Sequence, residues 1–445
     1  MRPPLRILLV SPRFPPSSAA DSQRLRMLLP HFSSAGVQAD VLAVDPACSA
    51  NPLDPWQAEH LPPEVPVHRV RGRSLRWARI PGLGNLEARS FGALARTGSR
   101  LLSSRRFDLV YISTTAFGSF GLGPLWKRRH GVPFVLDLQD PWVNDYYRQH
   151  PAVRPPGGRL KYALADRLHR RQEPRVLRQC SGLTSVSAAY VQQTVARWPW
   201  AASIPAVTLP FPGSAEDFEH LGAIAPSQLP FDPADGLLHW VSIGRGGADL
   251  TTALEGLFSA LARHAPAELQ ARLRLHFLGT SYAPAGRGIP SIAPIAARFG
   301  LTDLVEESTD RLPLSLTLAT LRAADALLVI GSDDPGYTAS KLYPCLLARQ
   351  PLLALMHPQS SVVELIRRCG GGVVVPLAPG ESSEVSGDRI AAAWLAGDRY
   401  GQTQPLEAAA FGPHTAAAQA RTLAAFLHAC LDQPSDRSPL PASAV

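Results

Sequence analysis

Short apolar runs recur along this chain with longer mixed segments between them, and the whole alternation occurs twice. Runs of this kind predict buried parallel strands that helices cover on both faces. The predicted strands are residues 6–10, 39–44, 65–70, 107–112, 133–138, 182–186 and 206–210 in the first half, and 236–243, 273–279, 325–330, 351–355 and 371–376 in the second. The predicted fold class is therefore α/β, with two tandem Rossmann-like, doubly wound domains.

The segments between the predicted strands carry helical patterns. These patterns predict helices at residues 22–35, 86–104, 118–130, 160–179, 249–264, 291–299, 314–323, 360–369 and 415–431. A chain of 445 residues also exceeds what one core supports. We predict an N-terminal domain at 1–212, a C-terminal domain at 213–431 and a disordered tail at 432–445. Open parallel sheets bind ligands at the carboxyl ends of their strands, so the expected site is a cleft between the domains.

Charge is divided unevenly between the two halves. Residues 1–212 hold 28 Lys and Arg against 13 Asp and Glu, a net +15, and residues 213–445 hold the other 16 against 23, a net −7. A basic half favours an anionic partner, either a membrane surface or a phosphorylated ligand. Residues 68–106 contain ten arginines and one acid, interleaved with apolar residues such as Trp77 and Ile80. This segment is either an ordinary solvated helix face or a surface for an anionic membrane. A nucleic-acid partner is disfavoured because no recognition motif accompanies the charge.

Several classes of protein are disfavoured by what the sequence lacks. No apolar stretch approaches the ~20 residues that cross a bilayer, and the apolar run after Arg6 is too short for a signal peptide, so we expect a cytoplasmic protein. The five cysteines have no metal or disulfide spacing and are predicted to be buried. The loop after the first strand has no glycine, which disfavours NAD or FAD there.

That first loop instead supplies hydroxyls and arginines. Ser18 and Arg24 are candidate ligand contacts, because they lie near the predicted start of a helix, where an anion is favoured. The alternative is that Asp21 or Ser22 caps the helix and that the arginines are solvated.

Two carboxylates follow in DLQDPW, at the end of a predicted strand. Asp137 and Asp140 are candidate catalytic residues, since a carboxylate there could accept a proton from an attacking hydroxyl or orient it. The alternatives are a helix cap or a buried carboxylate paired with an arginine.

Phosphate-binding candidates lie in the second half. In SIGRGG, Gly244 and Arg245 follow a predicted strand, where a glycine turn admits a phosphate and an arginine can clamp it. In YTASKLYPCLLARQP, Pro344 places the start of a helix between Ser340 and Pro344, and this puts Lys341 at its beginning. A lysine there is unfavourable unless an anion binds too, although it could also extend into solvent.

The order of these motifs resembles a GT-B glycosyltransferase of family 4 type, from about residue 5 to about residue 375. ILLVSPRFPP with Arg24 looks like the acceptor-side loop of the family, and DLQDPW is similar to the DxxDPW form of one branch. SVSAAYVQQ, SIGRGG and SKLYPCLLARQP look like later family motifs. The resemblance implies a GT-B fold, a nucleotide-sugar donor and no metal or other cofactor.

The sequence also departs from the family pattern. The usual paired glutamates are replaced by Gly336 and Pro344, so either the ribose of the donor is held elsewhere, by Asp333 or Asp334, or the donor is bound more weakly. The lysine that usually follows the Gly-Arg turn is missing, which leaves Ser340 and Lys341 for the diphosphate.

We therefore expect a metal-independent glycosyltransferase that transfers a sugar to a lipid-linked or glycan hydroxyl in surface polysaccharide or glycolipid synthesis. The resemblance further implies retention of the anomeric configuration. One alternative is a non-catalytic scaffold of the same fold. Another is a sugar-nucleotide epimerase, which would use His130 and His150 near Asp140.

Overall fold

The computed structural model describes residues 3–80, 82–145, 148, 158–283, 285–335, 337 and 339–432. The chain divides into two compact units, one formed by the chain up to Pro210 together with the segment from Ala416 onward, and the other by Phe211–Thr415. Each unit holds one parallel sheet with helices, so the predicted α/β, two-domain fold is confirmed. The cleft between the domains remains a prediction.

The sheet of the first unit has seven strands among the described residues, in the order β3-β2-β1-β4-β5-β6-β7. All of its pairs are parallel. The strands are β1 Leu5–Val10, β2 Val37–Val44, β3 Val67–Val70, β4 Leu109–Ser113, β5 Phe134–Leu138, β6 Gly182–Ser185 and β7 Ala206–Thr208. The two central strands β4 and β5 are buried at every position, as expected for a sheet with both faces covered.

The helices of the first unit include two of 19 residues. The helices are α1 Gln23–Leu28, α2 Trp56–Glu59, α3 Leu86–Ser104, α4 Leu122–His130, α5 Arg159–Leu177 and α6 Ala188–Arg197. The prediction for α3 matches the structure at both ends, whereas α6 was not predicted. The α6 helix is capped by Ser187, whose hydroxyl accepts a bond from the amide of Ala189.

The sheet of the second unit has six strands in the described part of the chain, in the order β10-β9-β8-β11-β12-β13. The strands are β8 Leu238–Ile243, β9 Leu273–Leu278, β10 Val305–Ser308, β11 Ala326–Ile330, β12 Leu352–Met356 and β13 Val373–Pro376. Strand β10, with the sequence VEES, was not predicted. It lies at the edge of the sheet, where half of its residues are exposed and glutamates are tolerated.

The helices of the second unit surround this sheet. They are α7 Ala215–Glu219, α8 Thr251–His264, α9 Ala267–Arg272, α10 Ala293–Arg298, α11 Leu314–Ala323, α12 Leu342–Ala348, α13 Ser361–Cys369, α14 Ser383–Ile390 and α15 Ala408–Phe411. Lys341 is the N-cap residue of α12, and Pro344 therefore lies in its first turn. The predicted start of this helix is confirmed.

The last helix, α16 Ala416–Leu431, belongs to the first unit, although the sequence predicted it in the second. Its residues Ala420, Leu423 and Leu427 are buried in the same cluster as Leu25 and Leu28 of α1. The chain thus returns to the first sheet after completing the second, and hydrophobic burial explains this placement. The predicted disordered tail comprises residues 432–445. Apart from Asp432, it lies outside the described residues.

Two further predictions can be compared with the described residues. The cysteines Cys48, Cys180, Cys345, Cys369 and Cys430 are buried, as predicted, and no disulfide forms among them in the described part of the chain. None of the described helices has the length and apolar character needed to cross a membrane. The cytoplasmic location remains a prediction.

Both sheets reverse their strand order next to their first strand, β1 beside β4 and β8 beside β11. In open parallel sheets, the loops that leave the carboxyl ends of two such strands diverge and leave a crevice for a ligand. The fold therefore places one candidate site in each unit, at the carboxyl ends of these strands.

Candidate functional sites at the carboxyl edges of the two sheets

Asp137 and Arg24 form a buried ion pair in the first unit. Arg24 Nε lies 2.8 Å from Asp137 Oδ2, and both side chains are 0% exposed. The carboxylate also accepts bonds from the hydroxyls of Ser113 and Thr184, each at 2.7 Å. Arg24 Nη2 donates to the carbonyl of Leu209 at 2.5 Å.

These contacts correct two sequence-based assignments. The predicted catalytic role of Asp137 and the predicted ligand contact of Arg24 both require an accessible side chain, and neither is accessible. A fully buried pair with hydrogen bonds on both sides is structural, because breaking it would leave an uncompensated charge in the core. The pair joins β5 to α1, and Arg24 also joins α1 to the segment that follows β7.

Asp21 lies in the same loop, and it does not cap α1. Its Oδ2 accepts bonds from Thr114 Oγ1 at 2.8 Å, from the amide of Thr115 at 2.9 Å and from Arg13 Nη1 at 3.0 Å. Ser22, the other predicted cap, instead donates to the carbonyl of Ala19 at 2.7 Å. Asp21 therefore joins the loop after β1 to the loop after β4, which is where the strand order reverses.

Ser18 is half-buried and donates to the carbonyl of Pro52 at 3.0 Å. This bond attaches the first loop to the segment that follows β2. The hydroxyl oxygen can still accept a bond, so the predicted acceptor contact of Ser18 stays a prediction.

Asp140 is the accessible carboxylate of this edge. It is exposed, two residues beyond the end of β5, and it follows the buried Gln139. Desolvation by the surrounding protein raises the pKa of Asp140 to about 6, and the negative charge of Asp21 contributes in the same direction. A carboxylate whose pKa lies near 6 is charged at neutral pH and can still accept a proton.

The histidines of the predicted epimerase cluster are not grouped with Asp140. His130 ends α4 and precedes β5, whereas Asp140 follows β5. A five-residue strand separates the two by about 17 Å, at about 3.3 Å per residue. His150 lies outside the described residues. His130 therefore does not share a site with Asp140.

In the second unit, Gly244 and Arg245 form the turn after β8. Gly244 has a φ of 136°, which favours glycine, and a Cβ atom there would lie 3.2 Å from Lys341 Cδ. The amide of Gly244 donates to the carbonyl of Leu278 at 2.9 Å, so this amide does not point towards a ligand. The role of Gly244 is thus to leave room for Lys341.

Arg245 is held in a defined orientation. Its Nη1 and Nη2 donate to the two carboxylate oxygens of Asp249 at 2.8 and 2.6 Å. The guanidinium group lies 5.1 Å from the ring centre of Tyr337. The Asp249 bonds raise the pKa of Arg245, so the arginine stays cationic. The side chain of Arg245 is 27% exposed, unlike that of Arg24.

Lys341 brings a second positive charge to the same corner. Its side chain is half-buried and packs beside Gly244, so its amine lies near the turn that carries Arg245. Burial lowers the pKa of Lys341 to about 8, and the positive charge of Arg245 acts in the same direction. Lys341 is also the sole lysine of residues 213–445. The structure therefore brings together Gly244, Arg245 and Lys341, as the sequence predicted for a phosphate site.

Asp333 and Asp334 follow β11 at this same corner. The amide of Asp333 donates to the carbonyl of Asp249 at 2.9 Å, and burial raises the pKa of the Asp333 carboxyl group. Asp334 is exposed, and its amide donates to Ser332 Oγ at 3.1 Å. Ser340 is exposed beside Lys341. These positions are compatible with ligand contacts, which remain predictions.

Gly336 and Pro344 are the two positions at which the sequence departs from the family pattern. Gly336 lies outside the described residues. Pro344 is in the first turn of α12, where its missing amide hydrogen costs little. In the described part of the chain, no group of three or more His, Cys, Asp or Glu residues could hold a metal ion. Metal independence remains a prediction.

Residues 22–212 match the family model described as a Glycosyl transferase 4-like domain. A comparison with curated proteins found no match. The matched segment covers most of the first unit, so the resemblance to family 4 glycosyltransferases is supported there. The assignment to the DxxDPW branch remains a prediction.

Solved structures share the fold of this chain over nearly its whole length. Anabaena HepE in complex with UDP-glucose is 15% identical with a TM-score of 0.61, and the match covers 96% of this chain and 100% of that one. An alpha,alpha-trehalose-phosphate synthase from Burkholderia vietnamiensis is 12% identical with a TM-score of 0.61, covering 95% and 100%. Sucrose-phosphate synthase from Thermosynechococcus elongatus is 14% identical with a TM-score of 0.57, covering 96% of each chain. At these identities the likeness shows the fold, and the predicted GT-B fold is confirmed.

Sequence reasoning missed three residues of the candidate sites, Arg13, Asp21 as a bridge between loops, and Asp249. Asp249 lies four residues after Arg245 at the start of a helix, and this spacing is a recognisable signal for an ion pair. Arg13 and Asp21 pair with each other eight residues apart, but their shared partner Thr115 lies about a hundred residues away, so no local pattern could have revealed that link.

Proposed function

We propose that this protein is a glycosyltransferase that moves a glycosyl group from a nucleoside-diphosphate sugar to a hydroxyl acceptor. The observation that carries the proposal is the pairing of two cationic side chains, Arg245 and Lys341, at the carboxyl edge of the second sheet. The Glycosyl transferase 4-like match over residues 22–212 supports the same activity from the other half of the chain.

The donor diphosphate binds at the corner formed by Gly244, Arg245, Ser340 and Lys341. Negative charge accumulates on the diphosphate as the glycosidic bond breaks, and two fixed cations stabilise that charge most in the transition state. This stabilisation needs no metal ion. Asp333 or Asp334 accepts bonds from the ribose hydroxyls, in place of the glutamates that Gly336 and Pro344 replace. The structures of HepE with UDP-glucose and with UDP support a donor of this class.

The acceptor hydroxyl is oriented by Asp140, with Ser18 as a further contact. An accessible carboxylate with a pKa of about 6 is charged at neutral pH, and it can bind a hydroxyl proton without acting as a strong base. We propose transfer with retention of the anomeric configuration. The acceptor is a lipid-linked or glycan hydroxyl of a surface polysaccharide or glycolipid.

A basic and apolar surface supports a membrane-bound acceptor. Within residues 68–106, Leu75, Trp77 and Ile80 are each at least 40% exposed, and the side chain of Arg71 is 90% exposed. By contrast, Arg89 in the same segment is buried and donates to the carbonyl of Cys48 at 2.8 Å. We place the proposed membrane contact at residues 71–80, where exposed apolar and basic side chains occur together, on the cytoplasmic face of the membrane.

Liposome flotation tests this contact. We expect the protein to float with anionic vesicles, and to do so less at 1 M salt, where charges are screened beyond about 3 Å. Trp77→Ser with Ile80→Ser is expected to reduce flotation further, while Leu164→Ser, on the exposed part of α5, leaves it unchanged. Equal flotation with neutral and anionic vesicles would contradict the proposed surface.

Calorimetric titration with a panel of nucleoside diphosphates tests the proposed activity. We expect at least one member to bind the wild-type protein, and Lys341→Ala to weaken that binding by more than about tenfold, or about 1.4 kcal/mol. Lys127→Ala is the matched control, because Lys127 lies on α4 in the first unit and donates to the carbonyl of Gln179. The control should bind as tightly as the wild type.

Two outcomes would contradict the proposal in different ways. If the wild type binds no nucleoside diphosphate, the protein is the non-catalytic scaffold, an alternative that the missing glutamates favour. If the wild type binds and Lys341→Ala binds equally well, the donor site lies elsewhere.

A further inference from the structure

The carboxylate of Asp249 contacts both loops of the proposed donor corner. One contact is the two-bond pair with Arg245, which belongs to the turn after β8. The other is a side-chain hydrogen bond from Ser332, which belongs to the loop after β11. Burial acts to raise the pKa of Asp249, but the bonds from Arg245 and Ser332 outweigh it and lower this pKa. Asp249 is therefore ionised at neutral pH.

The backbone reinforces this link between the two loops. The amide of Asp333 donates to the carbonyl of Asp249 at 2.9 Å, and the side chains of Asp333 and Thr252 are hydrogen-bonded. The loop after β11 leads directly to Lys341. Asp249 thus holds Ser332 and Asp333, at the start of the segment that leads to the second cation.

The contacts of Arg245 leave one edge of its guanidinium group open. Asp249 occupies the edge formed by Nη1 and Nη2, and the ring of Tyr337 covers one face. Among the described residues, no protein group accepts a bond from Nε. A phosphate could therefore bind the edge formed by Nε and Nη2 without displacing Asp249, since a guanidinium group has five N–H donors.

Asp249 also opposes the repulsion between the two cations. The charge of Arg245 lowers the pKa of Lys341, whereas the charge of Asp249 raises it. Without a bound anion, Asp249 is the negative charge that pairs directly with Arg245 and also attracts Lys341. Replacing it with a neutral residue would leave two cations facing each other at one corner, which is unfavourable in a partly buried site.

We propose that Asp249 is a positioning residue of the donor site, which orients Arg245 with one edge open to the diphosphate and keeps Lys341 beside it. This inference rests on the proposed donor site. Asp249 acts through Arg245 and does not itself contact the donor. By orienting Arg245 and keeping Lys341 beside it, Asp249 increases the affinity of the site for the anion, although its negative charge alone would reduce that affinity.

Titration of the preferred nucleoside diphosphate tests this role with the Asp249→Asn variant. We expect the variant to bind about tenfold more weakly than the wild type, because a misplaced cation loses most of its contribution. In an Arg245→Met background, Asp249→Asn should change the affinity clearly less than it does in the wild type, since its partner is already gone and only its influence on Lys341 remains. Asp303→Asn, at an exposed carboxylate outside the corner, is the matched control and should bind as the wild type does.

The pH profile of binding separates positioning from a general loss of structure. In the wild type, affinity should fall as pH rises through about 8, where Lys341 loses its proton. In Asp249→Asn the fall should begin at lower pH, because the carboxylate that favours the charged lysine is absent. A merely structural role would weaken binding without moving this profile.

The inference would be overturned if Asp249→Asn bound as tightly as the wild type or tighter, or if its pH profile were unchanged. It would also be overturned by an equal loss of affinity in the Arg245→Met background. A wild-type protein that binds no nucleoside diphosphate is a different result, since it removes the proposed donor site and with it the role of Asp249.

Discussion

Each unit contains an arginine–aspartate pair at the carboxyl edge of its sheet, and the two pairs differ mainly in burial. Arg24 and Asp137 are both 0% exposed; Ser113 donates to the carboxylate oxygen that faces Arg24, and Thr184 donates to the other. Arg245 and Asp249 are 27% and 29% exposed, and one guanidinium edge is open. The same two residue types therefore stabilise the fold in one unit and lie at the proposed donor site in the other.

The difference shows what determines the role of a charged residue near a strand end. A buried pair pays a large desolvation cost, so its partners must remain in place and cannot serve a ligand. A partly exposed pair costs less to form, and the arginine keeps donors that an incoming phosphate can use. Burial, rather than residue type or position after a strand, separates the structural pair from the pair at the proposed donor site.

The largest expected effect is on stability, through Arg24→Met. This variant leaves Asp137 charged and unpaired in the core, which costs about 3–5 kcal/mol of unfolding free energy. The matched variant Arg245→Met should cost less than about 1 kcal/mol, because that pair is partly exposed. Urea unfolding gives the two free energies, and hydrogen exchange in β5 locates the effect in the first unit.

Equal losses of stability in Arg24→Met and Arg245→Met would break the comparison. The comparison would also fail if amide hydrogens of β5 exchanged at the wild-type rate in Arg24→Met, because this strand carries Asp137.

The next effect is on catalysis, through Asp140→Asn. We expect the transfer rate to fall by about a hundredfold, within the usual range for a residue that handles a proton or orients a hydroxyl. The wild-type rate should also fall as pH drops through about 6, where the Asp140 carboxylate becomes protonated. In Asp140→Asn this acid limb should disappear.

A glycosyl-transfer assay over pH 5 to 8 measures both effects. Asp303→Asn serves as the control here as well. An unchanged acid limb in Asp140→Asn would show that another group titrates.

A smaller effect concerns Lys341 and alkaline pH. Its lowered pKa of about 8 means that the charged form is lost as pH rises through 8. If the diphosphate binds this charge, affinity should decrease by roughly tenfold between pH 7 and pH 9. Calorimetry at several pH values measures the change, and Lys341→Arg, which stays charged, should bind with little dependence on pH. A wild-type affinity that is constant to pH 9 would contradict the role of Lys341.

Much of the fold could be predicted because continuous apolar strands between helices admit few alternatives. Strand β10 was missed because VEES is polar and lies at an exposed edge, where no hydrophobic pattern is required. The helix α16 was assigned to the wrong sheet because its apolar pattern shows that it is buried and does not show against which core.

The candidate sites were predicted less well, and the reason is again burial. The sequence showed that Asp137 and Asp140 lie near the end of one strand, and it could not show that the first is enclosed and the second exposed. In the second unit, Gly244, Arg245 and Lys341 were predicted from glycine and proline positions, which constrain the backbone locally. The ion pair of Asp249 with Arg245 could have been predicted from their spacing of four residues. Its bond to Ser332 could not, because that contact depends on the tertiary structure.

The most direct test of this account is a crystal structure of the protein with the nucleoside diphosphate that it binds best. The account predicts diphosphate oxygens within about 2.7–3.2 Å of Lys341 Nζ and of the Nε–Nη2 edge of Arg245, with the Arg245–Asp249 pair intact. A diphosphate bound away from both cations, or an Arg245 that has left Asp249 to bind it, would contradict the account.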